Sequence, residues 1–257
     1  MDTSLVLYEA ADGVAILTLN NGGKRNALSR AMLACLRDRF RDIENDASVR
    51  AVILRASGPA FSSGHDLREL VGGTEGDYET LYALCTEVME AIRSLPKPVI
   101  AEVRGIATAA GCQLAASCDL VVAAEEATFA TPGVKIGLFC TTPGVAVARA
   151  VGPKKAMEML LTGALVGAGE AEKAGLVNRV VPAEKLSEET MALAKQIVSA
   201  SAETLALGKR AFYEQLALPT GEAYRVAEKR MVENTLAPDA REGIRAFLEK
   251  RQPKWRS

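Results

Sequence analysis

Two short stretches rich in Gly, Ser and Ala each follow a strand-like run and could present backbone amides for chemistry. The first is "AFSSGHDL", residues 60–67, and the second is "GIATAAGCQL", residues 105–114. Amides at the start of a helix are unpaired and carry a positive local field, and one such donor stabilises a developing oxyanion by about 3–4 kcal/mol. If the two turns lie side by side, they could direct two N–H groups at one oxygen. The alternative is that their small residues serve only tight packing.

Three further side chains decide which acid, base or nucleophile is available. His65 is the only histidine; either its imidazole acts as an acid or base near neutral pH, or only its backbone amide takes part. Cys140 is either a nucleophile with a lowered pKa or a small buried apolar residue. Gln113 can orient a water molecule through hydrogen bonds, but it cannot accept a proton near neutral pH.

The overall charge argues against a nucleic-acid or membrane partner. The 257 residues include 31 Lys and Arg and 32 Asp and Glu, for a net charge of −1, so the chain exerts no long-range attraction on a polyanion. The longest uncharged run, residues 105–118, is shorter than the roughly 20 apolar residues of a membrane-spanning helix. Because the chain has one histidine, a His-rich metal site is excluded.

Cysteine usage and the first residues predict a cytoplasmic protein. The five cysteines are an odd number, and their spacing matches no metal motif, which is typical of reduced thiols in the cytoplasm. The chain begins with "MDTSLVLYEAADG", which lacks the basic segment of a secretory signal peptide. We therefore expect a soluble protein without a metal.

The elements that must position these residues alternate between strands and helices up to about Val181. Strand-like runs such as "AVILRA" and "KPVIAEV" alternate with amphipathic segments, the pattern of an α/β fold with crossover connections. Ser29 is predicted to cap the first long helix. Beyond Val181 only helical periodicity remains. We predict a core over residues 1–200 and a helical oligomerisation region over residues 201–257.

Several ordered motifs resemble those of the crotonase (enoyl-CoA hydratase/isomerase) superfamily. The stretch "FSSGHDL" resembles the family signature F-x-x-G-x-D-[LI]. The segment "KPVIAEVRGIATAAGCQLAASCDLVVAAEEATFATP" resembles the family core, and "EGIRAFLEKRQPKW" resembles its C-terminal signature. The resemblance covers nearly the whole chain. It implies a spiral of ββα turns with a C-terminal helical trimerisation region, a homotrimer or a hexamer of two trimers, and a CoA thioester as substrate rather than a permanently bound cofactor.

The resemblance also assigns binding residues. It places the oxyanion hole at the backbone amides of His65 and Ala110. It places CoA contacts at Lys24, Arg25, Ala27, Asp66, Leu67, Phe247 and Lys250. Because the last two are spaced i,i+3, they are predicted to share a helix face. For the basic residues the alternative is solvated surface charge, and for Phe247 it is an ordinary amphipathic helix.

The chain departs from the family pattern where the hydratases carry their two glutamates. Those positions are Gln113 and Gly133 here, so hydration that relies on two carboxylates is disfavoured. The missing side chain at Gly133 is expected to leave a gap for water or a small anion such as bicarbonate. Three functions remain open. The first is a catalyst of altered chemistry, namely slow hydration, isomerisation, decarboxylation or thioester hydrolysis, and the second is acyl-CoA binding without catalysis. The third is a scaffold or an RNA-binding relative, although the near-zero net charge argues against RNA.

Overall fold

The chain forms a mixed α/β fold of two sheets and ten helices within the described residues. The structure is a computed structural model that describes residues 3–256. The strands are β1 Val6–Ala11, β2 Val14–Leu19, β3 Ala51–Ala56, β4 Ala60–Ser62, β5 Val99–Val103, β6 Ile106–Thr108, β7 Leu120–Ala124, β8 Thr128–Ala130, β9 Val166–Gly167 and β10 Arg179–Val181. The helices are α1 Arg30–Asn45, α2 Glu75–Ser94, α3 Ala110–Ser117, α4 Thr141–Val151, α5 Pro153–Thr162, α6 Ala168–Ala174, α7 Leu186–Val198, α8 Ala202–Leu216, α9 Thr220–Leu236 and α10 Pro238–Leu248. None of the helices in this part of the chain is long and apolar enough to cross a bilayer.

Successive pairs of strands form a spiral. The large sheet has the order β1-β2-β3-β5-β7-β10, and the small sheet has the order β4-β6-β8-β9. The units β3-β4-α2, β5-β6-α3 and β7-β8-α4 each place one strand in the large sheet, the next in the small sheet, and then a helix. Strands β3, β5 and β7 run parallel to one another. The predicted spiral of ββα turns is therefore confirmed.

Alternation along the strands divides the core between the two faces of the large sheet. Ile53 of β3 packs with Leu186 of α7 on one face. Its neighbours Val52 and Leu54 belong to the cluster that includes Phe40 of α1, because successive strand residues point to opposite faces. Each large aliphatic side chain buried in this way contributes about 1.5–3 kcal/mol to stability. Burial on both faces explains the continuous apolar runs in the sequence.

Side-chain caps set where the first two long helices begin. The Ser29 side-chain oxygen accepts a hydrogen bond from the Met32 amide at 3.3 Å, which confirms the predicted cap of α1. Thr74 and Asp77 form a reciprocal capping box at the start of α2. Both caps satisfy donors that a helix start leaves unpaired.

Buried polar contacts join the C-terminal helices to the core of the same chain. The Lys209 ammonium of α8 donates to Asp119 at 2.7 Å, and the Tyr213 hydroxyl donates to the same carboxylate at 2.8 Å. Asp119 also accepts a hydrogen bond from the Val99 amide at 2.7 Å. The division between residues 200 and 201 stays a prediction, although helix α8 begins next to it.

The prediction that Phe247 and Lys250 share a helix face is wrong. Helix α10 ends at Leu248, and Lys250 has a left-handed backbone with φ of 54°. The chain then turns back, so that Arg251 pairs with Glu242. Spacing of i,i+3 brings side chains together only while the helix continues.

Candidate active site

The two small-residue turns lie in direct contact. Gly64 has φ of +88°, and a β-carbon added there would lie 3.2 Å from the Ala110 nitrogen and 2.8 Å from the Ala109 β-carbon. A β-carbon on Gly111 would fall on the carbonyl of Ser62. These close approaches explain why both positions are glycine. The sequence prediction that the turns lie side by side is therefore correct.

Two backbone amides at this contact have no backbone acceptor among residues 3–256. Ala110 is the first residue of α3, so its N–H has no partner within the helix. Among residues 3–256, neither this amide nor that of His65 donates to a backbone carbonyl. The preceding residue, Ala109, has φ of 51° and donates its own amide to Ala130 at 2.9 Å. The strained turn leaves the Ala110 N–H free at the positive end of the helix.

An apolar cavity of about 500 Å³ opens beside these amides. His65 and Ala110 line it, together with the loop that connects β8 to α4. Its large apolar side chains are Leu67, Leu70, Tyr82, Ile136, Leu138 and Phe139. Within residues 3–256 its lining includes no carboxylate, and Lys135 is its one cationic side chain. A reaction that needs a carboxylate as its base would find none in this lining.

The His65 imidazole is packed into the protein. Its Nδ1 lies 3.2 Å from the Leu28 carbonyl oxygen, so this nitrogen carries the proton and donates. The ring meets Tyr82 edge-on at 5.6 Å between centroids, and Nε2 is buried without a hydrogen-bond partner. Burial lowers the pKa of the imidazole, so the ring is neutral at physiological pH. The geometry favours the interpretation in which the backbone amide, rather than the ring, faces the ligand.

The second carboxylate position is occupied by the protein itself. The Gly133 amide donates to the Cys140 sulfur at 3.3 Å. A β-carbon on Gly133 would lie 2.8 Å from that sulfur and 2.8 Å from the Leu138 carbonyl oxygen. The expectation of a gap for water or bicarbonate at Gly133 is therefore wrong, because the loop with Leu138 and Cys140 fills this space. The Cys140 sulfur accepts the Gly133 amide, and burial raises the pKa of its thiol. Both features favour the interpretation of Cys140 as a small buried residue over that of an activated nucleophile.

Gln113 lines a different cavity from the one beside the free amides. It lies one turn along α3 from Ala110, yet it faces a second cavity of about 410 Å³. Thr142 lines both cavities. The Gln113 side chain is 5% exposed, and its Oε1 has no hydrogen-bond partner. Gln113 therefore does not line the cavity of His65 and Cys140.

The predicted CoA-phosphate residues lie on an exposed turn beside the His65 loop. The Arg25 carbonyl accepts from the Ser63 amide at 3.0 Å, while Lys24 and Arg25 are exposed. Ala27 is buried, and its amide donates to Lys24 at 3.1 Å. The turn thus offers the two cations to solvent, whereas the Ala27 amide is already used.

Of the other predicted CoA contacts, one lines the first cavity and three line neither cavity. Leu67 lines the cavity and is 51% exposed. The Asp66 carboxylate caps the following turn, and its hydrogen bond from Arg68 lowers its pKa. Phe247 and Lys250 lie outside both cavities, on the exposed C-terminal region.

Sequence reasoning missed residues that shape the site. Asn26 is fully buried with φ of 50°, and its side chain donates to Ser57 and Ala60 at 2.8 Å each. This amide holds the basic turn against the strand that leads into the His65 loop. No sequence pattern singled out Tyr82 and Phe139 either, because an aromatic residue in a helix or loop usually serves to pack the core. The signal for Asn26 was its place in "GGKRN", where Asn tolerates a positive φ.

Comparisons with known proteins agree with this geometry. A profile described as "Enoyl-CoA hydratase/isomerase" matches residues 9–257. Enoyl-CoA hydratase domain-containing protein 3, mitochondrial, of Rattus norvegicus is 49% identical over 245 residues, which covers 95% of this chain and 82% of the rat protein. The Homo sapiens protein of the same name is 50% identical over 248 residues, which covers 95% and 81%.

Two crystal structures of relatives have the same fold. An enoyl-CoA hydratase from Mycobacterium smegmatis superposes with a TM-score of 0.96 at 50% identity, covering 98% of this chain and 99% of that one. Human enoyl Coenzyme A hydratase domain-containing protein 3 superposes with a TM-score of 0.95 at 48% identity, covering 98% and 100%. The predicted crotonase-like fold is confirmed.

The predicted cytoplasmic location is contradicted by the rat and human relatives, whose names include "mitochondrial". The reason for the error is that free thiols, on which the prediction mainly rested, indicate a reducing environment and do not specify a compartment. The family resemblance rests instead on an ordered set of motifs over nearly the whole chain, and it is confirmed. This chain belongs to the enoyl-CoA hydratase/isomerase family.

Proposed function

We propose that this protein binds a CoA thioester and polarises its carbonyl with the backbone amides of His65 and Ala110. The observation that carries the proposal is the contact between the two turns, in which the Gly64 β-carbon position lies 3.2 Å from the Ala110 nitrogen. Both amides lack acceptors and line one apolar cavity. Donors of this kind stabilise the negative charge that develops when a thioester becomes an enolate.

The chemistry that follows differs from hydration by two carboxylates. Neither a carboxylate nor a free gap is present where those groups would act, because Cys140 fills the Gly133 position and Gln113 lines the other cavity. The polarised carbonyl remains the chemically competent feature. Loss of an α-carboxylate is the reaction that this site supports best, because CO₂ leaves and its bonding electrons enter the stabilised enolate without a base. Exchange of the α-proton also needs a base, and water or hydroxide from solvent supplies it.

Carbonyl polarisation is tested with an absorbing ligand. Cinnamoyl-CoA bound in the cavity is expected to show a red-shifted absorption, because hydrogen bonds to the carbonyl draw electron density from the conjugated system. Ala110→Pro removes one N–H while keeping a backbone that the first helical position accepts. This variant is expected to lose most of the red shift and, where α-proton exchange occurs, to slow it by about 10²–10³-fold.

Two controls separate carbonyl binding from folding. Ala110→Gly keeps the N–H and is expected to keep the red shift, and titration with free CoA, which has no carbonyl, is expected to be equal in all variants. His65→Ala keeps its backbone amide and is likewise expected to keep the shift. An unchanged shift in a folded Ala110→Pro protein would contradict the assignment of the oxyanion hole.

Binding without catalysis is a second candidate, favoured by the missing carboxylates. Incubating butanoyl-CoA with the protein in D₂O and following deuterium at the α-carbon distinguishes the two. Exchange faster than in free butanoyl-CoA supports an enolate-forming enzyme. Binding with no added exchange supports an acyl-CoA-binding protein.

A further inference from the structure

A second cavity adjoins the candidate active site and has no assigned role. Its volume is about 410 Å³, and helices α2, α3, α4 and α8 contribute to its lining. Thr142 belongs to the walls of both cavities. Along α3, Ala110 of the first cavity and Gln113 of the second are one turn apart, about 5 Å. The two cavities therefore lie on either side of Thr142, within the reach of one acyl chain.

The second cavity carries hydrogen-bonding groups that the protein leaves unmatched. Gln113 is 5% exposed, and its Oε1 is buried without a partner. Such a group is costly unless a ligand or a flip of the amide supplies a match. An entirely apolar ligand would leave this amide unsatisfied.

Two guanidinium groups face the same space. Arg149 donates one N–H to the Val145 carbonyl at 2.9 Å, and Arg93 stacks over the Tyr213 ring at 4.7 Å. Within residues 3–256 neither forms a salt bridge. The lining also includes the acidic residues Asp119 and Glu90. The charge of Asp119 is offset by the buried ion pair with Lys209 at 2.7 Å. Glu90 and Arg149 are both exposed, so Arg149 stands at the open side of the cavity.

We propose that this cavity binds the far end of the acyl chain, and that this end is a carboxylate. The inference rests on the proposed function, since it takes the thioester carbonyl to lie at the Ala110 amide. Arg149 binds the terminal carboxylate, because a planar guanidinium without an ion pair is the side chain best suited to it. Gln113 contributes its NH₂ group after a flip of the amide. The substrate class is therefore an acyl-CoA derived from a dicarboxylic acid.

The test compares two thioesters that have the same number of carbons. Octanedioyl-CoA is expected to bind about tenfold more tightly than octanoyl-CoA in calorimetric titration. One charge-assisted hydrogen bond between guanidinium and carboxylate accounts for an affinity difference of this size. Arg149→Met is expected to abolish this difference, and Arg149→Lys to keep part of it. Arg225→Met removes the same charge from an exposed position on α9 that lines neither cavity, and it is expected to leave the difference unchanged.

A short thioester separates this inference from the proposed function. Butanoyl-CoA fits within the first cavity and is expected to bind equally to the native protein and to Arg149→Met. If butanoyl-CoA binds but the two eight-carbon thioesters bind alike, the carboxylate site is overturned and the proposed function stands. If Arg225→Met lost the difference between octanedioyl-CoA and octanoyl-CoA as fully as Arg149→Met, the cause would be a general charge effect, and the carboxylate site would also be overturned. If no CoA thioester binds, the proposed function itself fails.

Discussion

Single residues at the candidate site act mainly through the space they occupy. Gly133 is compatible with this loop because the Cys140 sulfur and the Leu138 carbonyl lie where a side chain would begin. The thiol accepts the Gly133 N–H, so it satisfies the amide and excludes solvent at once. Installing a glutamate at this position would first have to displace the loop, so the absence of a carboxylate here is a property of packing as well as of residue type.

We predict that Gly133→Ala lowers the free energy of unfolding by about 1–3 kcal/mol, because overpacking forces the loop to shift. Adding Cys140→Ala to this variant is expected to recover part of the loss, since one of the two close contacts disappears. Urea unfolding of the single and double variants measures the coupling. Gly76→Ala serves as the matched control, because no atom lies within 4 Å of its added β-carbon. Equal effects at Gly76 and Gly133 would contradict the packing explanation.

The lone histidine is expected to make stability depend on pH. Burial lowers the pKa of His65 in the folded protein, whereas in the unfolded chain its pKa is about 6.5. Below about pH 6.5 the unfolded chain takes up a proton that the folded chain does not, so the free energy of unfolding falls as pH decreases. The loss ends once the folded imidazole also titrates.

Unfolding by urea between about pH 5 and 8 measures this effect, since carboxyl groups with ordinary pKa values titrate below that range. In His65→Leu the decrease just below pH 6.5 is expected to disappear, because the chain then contains no histidine. A decrease of the same size in the variant would show that another group is responsible.

At the scale of elements, one buried ion pair holds helix α8 on the core. The Lys209 ammonium also donates to the carbonyls of Ile92 and Lys97, at 2.8 and 3.0 Å. Its side chain is 7% exposed, and that of Asp119 is 15% exposed. Because Asp119 also binds Tyr213 and the start of β5, three segments meet at one carboxylate: helix α8, strand β5 and the residue that precedes β7. Helix α8 therefore forms part of the wall of the second cavity through this contact.

We predict that Asp119→Asn destabilises the protein by about 3–5 kcal/mol, because it leaves the buried ammonium without a counter-charge. Glu214→Gln, which breaks an exposed ion pair between α8 and α9, is expected to lower stability by about 0–1 kcal/mol. Urea unfolding and limited proteolysis near residue 200 measure both variants. If Asp119→Asn behaves like Glu214→Gln, the buried pair does not hold the helix.

For the whole molecule, the C-terminal helices expose more apolar side chains than an isolated subunit normally leaves in water. Met231 and Val232 of α9 are 63% and 62% exposed, and Phe247 of α10 is 83% exposed. Large apolar side chains exposed on packed neighbouring helices are the kind of surface from which an interface between subunits is built. In the predicted trimer or hexamer, neighbouring subunits would cover the helices that are exposed in a single chain.

We predict that the protein sediments as a multiple of three 27.2 kDa subunits. Val232→Glu is expected to shift it toward smaller species, because burying an unpaired charge in an interface is unfavourable. Val71→Glu, at an 81% exposed site outside the C-terminal helices, is expected to leave the assembly unchanged. A monomer at every concentration would show that these helices do not form an interface.

Much of the architecture was readable from local patterns. Strand-like runs and amphipathic segments predicted the α/β class, the helical tail and the cap at Ser29, since periodicity and capping involve residues close together in the chain. The contact between the two turns was also predictable, because neighbouring parallel strands bring the loops at their ends together. The motifs that carry the family resemblance lie in these same strands, turns and helices.

The sequence by itself therefore determined the fold class, the family and the loss of both glutamates. Only the tertiary structure decided what replaced them: Cys140 packs against Gly133, Gln113 lines a second cavity, and Lys250 leaves the helix of Phe247. The physical reason is that these outcomes depend on which atoms fill a given space. Residue type and spacing specify which groups are available, but close packing between separate segments selects the cavity that each group faces.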